Sequence, residues 1–240
     1  KDLHCYVTPP PKDGKSFPIA FKDNFSTKGI RTTASTKILE DYVPPFNATV
    51  VQRLLDKQFG VFGKTNMDAW AHGSSTETSD FGPTNNPWDT TRAPGGSSGG
   101  SAAVTAAYLA PAAIGSETAG SIRLPAAWCG LVGMKPTYGR VSRYGVVPMG
   151  SSWDCPGPIT RTVEDAAYLL EIIQGEDPYD ATSLPSSATR YTLHDKRKLK
   201  IGVCKDYLEN IDSDILKRFE ETLEILKKLG HEIVPVSLIS

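Results

Sequence analysis

The sequence has few cysteines and no excess of charge of either sign. Its 240 residues include only four cysteines, without a Cys-x-x-Cys pair, which argues against a zinc site and against a disulfide framework. A reducing compartment is therefore expected. Lys and Arg number 26 against 27 for Asp and Glu, so the formal net charge is −1. Such a chain has no basic surface for wrapping a nucleic acid, and any nucleic acid is expected to be held by a partner.

Long hydrophobic runs and targeting segments are also missing. The longest apolar stretch, residues 102–114, contains Thr105, Tyr108 and Pro111 and is shorter than a membrane-spanning helix, so no membrane insertion is predicted. No signal peptide, transit pattern or initiator Met is found at Lys1, and we expect the original N-terminus to have been removed. With 39% hydrophobic and 22% charged residues, the composition is typical of a soluble globular protein with a sizeable core.

Strand-like and helical patterns alternate along the chain. Residues 18–21 and 60–63 are short apolar runs typical of strands, whereas residues 49–57 have the spacing of a helix. The Ala-rich residues 101–110 predict a buried helix that ends before Pro111. This alternation places the chain in the α/β class.

The C-terminal part predicts one more helix of the core and then a separate motif. Thr162 and the acids after it predict a capped helix that ends at Gly175. Residues 186–199 are polar and predict a solvated connection, and residues 200–240 read as strand, helix and strand. Because a βαβ unit needs further strands, we expect one domain over the whole chain, incomplete at its C-terminus. In it, residues 1–185 form a catalytic core and residues 200–240 begin a continuation of the same sheet.

The glycine-rich segment Gly95–Gly100 raises the question of nucleotide binding. A phosphate-binding P-loop needs Gly-x-x-x-x-Gly-Lys-Ser/Thr, but Ser101 and Ala102 stand where the Lys and Ser/Thr belong. The other candidate, Gly63-Lys64-Thr65, has Gln58 at the place of the first glycine. The sequence therefore argues against a nucleotide site of this type.

Several segments resemble the signature of the amidase family. They are Lys22-Asp23-Asn24, Gly95-Gly96-Ser97-Ser98-Gly99-Gly100, Gly115-Ser116-Glu117 and Ala119-Gly120-Ser121-Ile122-Arg123-Leu124-Pro125-Ala126. The resemblance implies the amidase-signature fold, a mixed central sheet covered on both faces by helices. It also implies that Ser121 is the nucleophile, that Ser97, after a cis peptide bond, is the bridging serine, and that Lys22 is the base.

The chemistry of amide hydrolysis explains why these residue types are needed. A serine hydroxyl is a poor nucleophile until a base takes its proton, and lysine is such a base only where its surroundings lower the pKa of its amine from the usual ~10.4. Taken alone, Lys22 is typical of a surface charge, Ser97 of a turn and Ser121 of a helix cap. Their occurrence together, in order and at the family spacing, favours the catalytic interpretation.

Stabilisation of the oxyanion is implied for the backbone just before the nucleophile. Each well-aimed N–H donor contributes ~2.7–4 kcal/mol to such a site. The candidate donors are the N–H groups of Thr118, Ala119, Gly120 and Ser121. The commonest family pattern has Asp and Gly where this sequence has Glu117 and Ala119, which puts the local backbone angles in question. Arg123 is assigned a supporting role, through a pair with a carboxylate.

Further segments resemble the branch of the family that serves tRNA-dependent amidotransferases. They are Asn66-Met67-Asp68, Gly73-Ser74-Ser75-Thr76-Glu77, Phe81–Asp89, Gly133–Gly145 and Ser151-Ser152-Trp153-Asp154. The resemblance implies a glutaminase whose ammonia converts Glu-tRNA(Gln) to Gln-tRNA(Gln). The implied partners are the B subunit of an amidotransferase, which holds most of the tRNA, and a small third subunit. ATP and Mg are implied on the partner, and no cofactor or metal in this chain.

Two alternatives stay open at this point, as does the compartment. A stand-alone hydrolase of another small or fatty amide shares the triad, and an inactive scaffold subunit retains the motifs. In the family, the groups that recognise glutamine lie beyond residue 240. The absent N-terminal segment and the residues Ala119, Trp128 and Trp153 favour the mitochondrial matrix over the bacterial cytoplasm.

Overall fold

Eight strands and five α-helices make up the described part of the chain, which comprises residues 3–11, 16–185 and 197–238 of a computed structural model. In chain order they are β1 (Tyr6–Thr8), β2 (Phe17–Lys22), α1 (Thr49–Asp56), β3 (Phe59–Thr65), α2 (Gly99–Ala106), β4 (Ala113–Glu117), α3 (Arg123–Trp128), β5 (Val132–Gly133), β6 (Cys155–Thr160), α4 (Val163–Ile173), β7 (Lys200–Cys204), α5 (Ser213–Lys228) and β8 (Glu232–Val236). None of the described helices is long and apolar enough to cross a membrane. The chain divides into two compact units, Lys1–Tyr191 and Thr192–Ser240.

The first unit is built on a mixed six-stranded sheet with the order β1-β3-β2-β4-β6-β5. The three central strands β3, β2 and β4 are parallel, and the strands outside them pair in antiparallel fashion. Strand β2 therefore has a parallel neighbour on each side. The carboxyl ends of parallel strands meet at one edge of a sheet, and this edge is where α/β proteins place their sites.

Helices cover both faces of this sheet, and the strand residues alternate between the two faces. Ile19 and Phe21 of β2 pack in a core of large side chains with helices α1 and α4. Ala20, between them, packs on the opposite face against Ala103 and Val104 of α2. The α/β fold class with helices on both faces is thereby confirmed, and the small side chains of the second face let α2 lie close to the sheet.

Helix α2 differs from its predicted bounds, residues 101–110. It begins two residues earlier, at Gly99, and ends at Ala106, because the chain closes it with a Schellman motif before Pro111 is reached. Tyr108 takes a left-handed φ of 58°, and the N–H of Leu109 donates to Val104 O at 2.9 Å. Glycine usually fills this position, so the tyrosine found there did not indicate where the helix ends.

Other predicted elements are present with small shifts of their bounds. Helix α4 begins after Thr162, whose Oγ1 accepts a hydrogen bond from the N–H of Asp165 at 3.1 Å, and Gly175 follows it with a φ of 119°. The cap and the terminating glycine are therefore those the sequence predicts.

The second unit contains the predicted strand, helix and strand. Strands β7 and β8 pair in parallel, and α5 connects them with Asp212 as its N-cap. Whether they continue the sheet of the first unit stays a prediction. Most of the predicted polar connection, residues 186–196, lies outside the described residues.

The Thr162 cap leads to a test of the fold. Replacing Thr162 with Ala removes the acceptor for the Asp165 N–H and is expected to lower the free energy of unfolding by ~0.5–2 kcal/mol. The measurement is the midpoint of urea unfolding at an unchanged slope. Thr162→Ser keeps the hydroxyl and serves as the control, which we expect to unfold close to the wild-type midpoint. Equal midpoints for all three proteins would contradict the role of the cap.

Candidate active site

Lys22 is the last residue of β2, at the carboxyl edge of the three parallel strands. By the alternation along β2, its side chain points to the same face as Ala20, the face that α2 covers. Lys22 is fully buried. A lysine that the sequence alone would place at the surface thus lies inside the molecule.

The amine of Lys22 contacts the hydroxyl of Ser97 directly. Lys22 Nζ donates to Ser97 Oγ at 2.7 Å and to the carbonyl oxygen of Ser116 at 3.1 Å. Burial lowers the pKa of Lys22 to about 7, against the opposing effect of the Asp68, Asp154 and Glu117 carboxylates. A substantial fraction of this amine is therefore neutral near pH 7 and able to accept a proton.

Ser97 lies on the loop that leads into α2, and the peptide bond between Gly96 and Ser97 is cis, as the resemblance implies. The next residue, Ser98, connects this loop to the segment that carries Ser121. The N–H of Ser98 donates to the carbonyl oxygen of Ser121 at 3.2 Å, and Ser98 Oγ donates to Ser116 O at 3.1 Å. The two serine-bearing segments are thus joined through the backbone, while a direct contact between the Ser97 and Ser121 hydroxyls stays a prediction.

Ser121 lies in the turn between β4 and α3, and the carboxylate of Glu117 closes this turn. Glu117 Oε2 accepts hydrogen bonds from the N–H groups of Ile122 and Arg123, both at 3.0 Å. Glu117 Oε1 accepts one from Arg123 Nε at 2.7 Å. Burial raises the pKa of the Glu117 carboxyl, but these bonds from Arg123 and Ile122 outweigh it and lower the pKa overall. Arg123 therefore supports the turn from its solvent side, in the role assigned to it.

The two departures from the family pattern fit the local backbone. Gly120 has a φ of 133°, which only glycine adopts readily, whereas Ala119 is absent from the residues with positive φ. An alanine is thus tolerated at position 119 without strain, and Glu117 reaches its N–H partners. The use of the N–H groups of residues 118–121 as an oxyanion site stays a prediction.

Asp154 holds the other side of the turn that presents Ser121. The sequence pattern around Asp154 did not indicate that it belongs to the site. Thr118 Oγ1 donates to Asp154 Oδ1 at 2.5 Å, and the N–H of Met149 donates to Asp154 Oδ2 at 2.9 Å. The carboxylate thereby connects the first oxyanion candidate to the loop before β6. The segment Ser151–Asp154 was part of the family resemblance, but the sequence did not show which turn this carboxylate meets.

A second buried lysine was also missed. Lys64 of β3 is fully buried and donates to Phe25 O and to Thr32 Oγ1, both at 2.7 Å. It lies 3.5 Å from the carboxylate of Asp23, the residue after Lys22. Burial lowers the pKa of Lys64 to about 8, and the Asp23 carboxylate opposes this shift. The pair holds the turn directly after β2 against β3; the sequence showed only a lysine after a glycine.

The arrangement resembles the active site of one class of enzyme. A buried lysine with a lowered pKa contacts one serine, and that serine's loop is bonded to a turn that presents a second serine, which is 8% exposed. These are the parts of a serine hydrolase in which lysine serves as the base. Within the described residues, no group of three or more His, Cys, Asp or Glu is placed to hold a metal ion. The expectation that this chain holds no cofactor stays a prediction.

Comparison with known proteins gives the family. The chain belongs to the amidase family: the family model described as Amidase matches residues 15–240. It is 56% identical over 225 residues to the A subunit of glutamyl-tRNA(Gln) amidotransferase from Persephonella marina, an alignment that covers 92% of this chain and 46% of the relative. The corresponding protein of Nitratiruptor sp. is 52% identical over 238 residues, which cover 99% of this chain and 54% of the relative.

Solved structures show the same fold. The A subunit of glutamyl-tRNA(Gln) amidotransferase from Thermotoga maritima superposes with a TM-score of 0.93 at 44% identity, over 98% of this chain and 54% of that one. The peptide amidase of Stenotrophomonas maltophilia gives 0.83 at 37% identity, over 92% and 47%. The chain thus spans about half the length of the relatives it matches. These relatives are bacterial and do not support the predicted mitochondrial matrix.

The Glu117 carboxylate gives a test of the turn that presents Ser121. Glu117→Gln loses the charge that four N–H donors face and is expected to lower the free energy of unfolding at pH 7 by ~1–3 kcal/mol. Because the folded-state pKa of Glu117 is lowered, its stabilisation is fully present above the ordinary glutamate pKa of ~4.3 and is lost progressively as the pH falls from there through the folded-state pKa. The deficit of the variant should therefore shrink in acid.

Urea unfolding at pH 7 and at about pH 3, well below the ordinary glutamate pKa, measures this difference. Glu164→Gln, at an exposed glutamate in the first turn of α4, is the matched control and should change little at either pH. A Glu117→Gln variant as stable as the control at pH 7 would show that the carboxylate does not hold the turn.

Proposed function

We propose that this chain is the catalytic part of a glutaminase subunit of a glutamyl-tRNA(Gln) amidotransferase. The observation that carries the proposal is the 2.7 Å contact between the buried Lys22 amine and the Ser97 hydroxyl, beside the Ser121 turn. The similarity to amidotransferase A subunits at 52–56% identity supports the choice of substrate and assembly.

In the proposed reaction, Ser121 Oγ attacks the side-chain amide carbon of glutamine. The Ser121 proton passes to Ser97, and the Ser97 proton passes to the neutral amine of Lys22. The negative charge that develops on the amide oxygen is stabilised by backbone N–H groups among Thr118, Ala119, Gly120 and Ser121. When the tetrahedral intermediate collapses, the proton returns through Ser97 to the departing nitrogen, which leaves as ammonia.

The second half of the reaction regenerates the serine. A water molecule attacks the glutamyl ester on Ser121 and gives its proton to the same Ser97 and Lys22 path. The ester bond breaks, glutamate leaves, and Ser121 recovers its hydroxyl proton. Lys22 alternates between neutral and charged forms in each half, which its pKa of about 7 permits with little energetic bias at neutral pH.

The larger assembly is proposed from similarity. The relatives are named as A subunits, and the near-neutral charge of this chain fits a division of labour in which a partner holds most of the tRNA. We place ATP and Mg on that partner, the B subunit of the amidotransferase, with a small third subunit in the complex. The groups that recognise glutamine are placed outside the half of the relatives that this chain spans.

A second candidate is a stand-alone amidase, which the likeness to a peptide amidase favours. The two candidates differ in their substrate and in their dependence on partner subunits. Glutaminase activity of the full-length protein that rises on addition of its two partner subunits supports the amidotransferase. Hydrolysis of C-terminally amidated peptides at the same rate with or without partners supports the alternative. Correctly folded protein without either activity would point to the inactive scaffold.

Ser121→Ala should abolish amide hydrolysis without unfolding the protein. It removes the nucleophile and, from a turn held by the Glu117 carboxylate, only a hydroxyl. Ammonia release and the midpoint of thermal unfolding are measured on the same sample. Arg123→Met, on the exposed side of the turn, is the comparison that should keep measurable activity. Turnover by folded Ser121→Ala at a rate near wild type would refute the assignment.

The rate should fall as the pH drops below about 7. Below the folded-state pKa of Lys22, which is about 7, the amine is charged and accepts no proton, so kcat/KM should fall roughly tenfold per pH unit. The measurement is a pH–rate profile from pH 5 to 9, with circular dichroism to show that the fold persists. Lys22→Arg, which stays charged over this range, should be inactive throughout. A profile that is flat down to pH 5 would exclude Lys22 as the base.

A further inference from the structure

A buried pair of residues, Asp68 and Thr76, lies against the loop that carries Ser97. Both are fully buried, and both belong to segments that resemble the amidotransferase branch of the family, Asn66–Asp68 and Gly73–Glu77. Neither side chain contacts Lys22 or Ser121 by a hydrogen bond within the described residues, so the reaction steps above do not use them. We call the pair the loop clamp.

The hydroxyl of Thr76 binds the Ser97 loop at two points. Thr76 Oγ1 donates to the carbonyl oxygen of Gly95 at 2.9 Å and accepts from the N–H of Gly99 at 3.1 Å. Gly95 and Gly99 stand two residues before and two residues after Ser97. One hydroxyl therefore uses its donor and its acceptor to fix both ends of the five-residue loop.

Asp68 binds the middle of the loop and also holds Thr76. The N–H of Asp68 donates to the carbonyl oxygen of Ser97 at 3.3 Å, and Asp68 Oδ2 accepts from the N–H of Thr76 at 2.9 Å. The clamp thus contacts alternate residues of the loop, 95, 97 and 99. Its third contact is on Ser97 itself.

The glycines of the loop leave almost no free space on this side. A Cβ atom added to Gly96 would lie 2.2 Å from Asp68 Oδ2, and one added to Gly99 would lie 2.1 Å from Thr76 Oγ1. Such distances are far inside van der Waals contact, so glycine is needed for the loop to approach the clamp. Any displacement of the clamp is therefore transmitted to the loop backbone.

The backbone at Thr76 suggests that its side chain has a function. Thr76 has a φ of 64°, in the left-handed region where a β-branched residue is a genuine outlier. Glycine or asparagine would adopt this conformation with less strain. The hydroxyl of Thr76 makes two hydrogen bonds to the Ser97 loop. An unfavourable backbone conformation at such a residue indicates that the hydroxyl has a function.

We propose that Thr76, held by Asp68, is a positioning residue that keeps the Ser97 hydroxyl within hydrogen-bond reach of the Lys22 amine. This inference rests on the role of Ser97 in the proposed function. A displacement of about 1 Å at a proton-relaying group costs on the order of a hundredfold in rate. The clamp should therefore act on kcat, because Ser97 takes part in proton transfer and not in binding the substrate.

The test compares four variants of the full-length protein. Thr76→Val keeps the β-branched shape and removes the hydroxyl, and Thr76→Ser keeps the hydroxyl. Thr76→Gly removes the hydroxyl while relieving the positive φ, and it decides the outcome if Thr76→Val does not fold. Thr105→Val is the matched control, because Thr105 is also fully buried and bonds a backbone carbonyl, that of Ser101 in α2, without contacting the Ser97 loop.

Two readouts are needed, and one of them does not depend on the substrate. The first is kcat and KM for glutamine, for which Thr76→Val and Thr76→Gly should lose about 10- to 100-fold in kcat with KM nearly unchanged. The second is the rate at which a fluorophosphonate labels Ser121, which should fall by a similar factor. Thr76→Ser should restore most of both rates, and Thr105→Val should label like wild type.

The outcomes separate this inference from the proposed function. If the wild-type protein is labelled at Ser121 but hydrolyses no glutamine, the proposed substrate is wrong. The labelling rates alone would then test the role of the loop clamp. Labelling of folded Thr76→Val or Thr76→Gly at the rate of Thr105→Val would overturn the positioning role, as would failure of Thr76→Ser to restore the rate. Wild-type protein that is not labelled at Ser121 would overturn both proposals.

Discussion

The site depends on the removal of water from the Lys22 amine. An ammonium group in water keeps its proton up to a pKa of ~10.4, and a base that is charged at neutral pH takes no proton from serine. The fully buried position of Lys22 at the end of β2 removes the solvation that favours the charged form. Three carboxylates act in the opposite direction, but each already accepts hydrogen bonds from its own turn or loop. Burial therefore has the larger effect, and the pKa of the amine falls to about 7, as the proposed role of a base requires.

The sheet makes this burial possible by treating its two faces differently. On one face Ile19 and Phe21 need the wide core that α1 and α4 provide. On the other, Ala20 and Ala113 meet Ala103 and Val104 of α2, so that helix lies close to the strands and brings the loop at its N-terminus down to Lys22. The large side chains hold the unit together, and the small ones set the distance between the lysine and the first serine.

Local patterns predicted a large part of the fold. Examples are the cap at Thr162, the helix before Gly175 and the strand–helix–strand order after residue 200. Each depends on residues that are near one another in the sequence, so a single sequence is enough to predict it. The end of α2 was misplaced because Tyr108 adopts a conformation that its side chain disfavours. The Arg161 guanidinium lies 4.6 Å from the centre of the Tyr108 ring, and a contact with so distant a residue cannot be read from the residues beside Tyr108.

The candidate site could be recognised only from a long sequence motif. Lys22, Ser97 and Ser121 come from three separate segments, and their side chains taken singly predict a surface charge, a turn and a helix cap. The pairs Lys64–Asp23 and Thr118–Asp154 were not found, because sequence spacing does not tell which distant segments meet. Glu117 and Arg123 were both recognised as part of the signature, but the four donors that surround the carboxylate required the folded turn.

The complete burial of α2 has a consequence for redesign of the enzyme. All eight of its residues are buried, so a larger side chain on this helix would have to displace its neighbours, and near the N-terminus those neighbours include the Ser97 loop, even though it touches no substrate. Ala119 and Trp153 are instead exposed, and Trp153 borders Gly150, next to Thr118 in the turn that presents Ser121. Altered substrate preference should therefore be sought by varying exposed positions such as Ala119 and Trp153, where the volume of the side chain is free to change. Variant libraries that include the residues of α2 will consist mainly of proteins whose site is displaced.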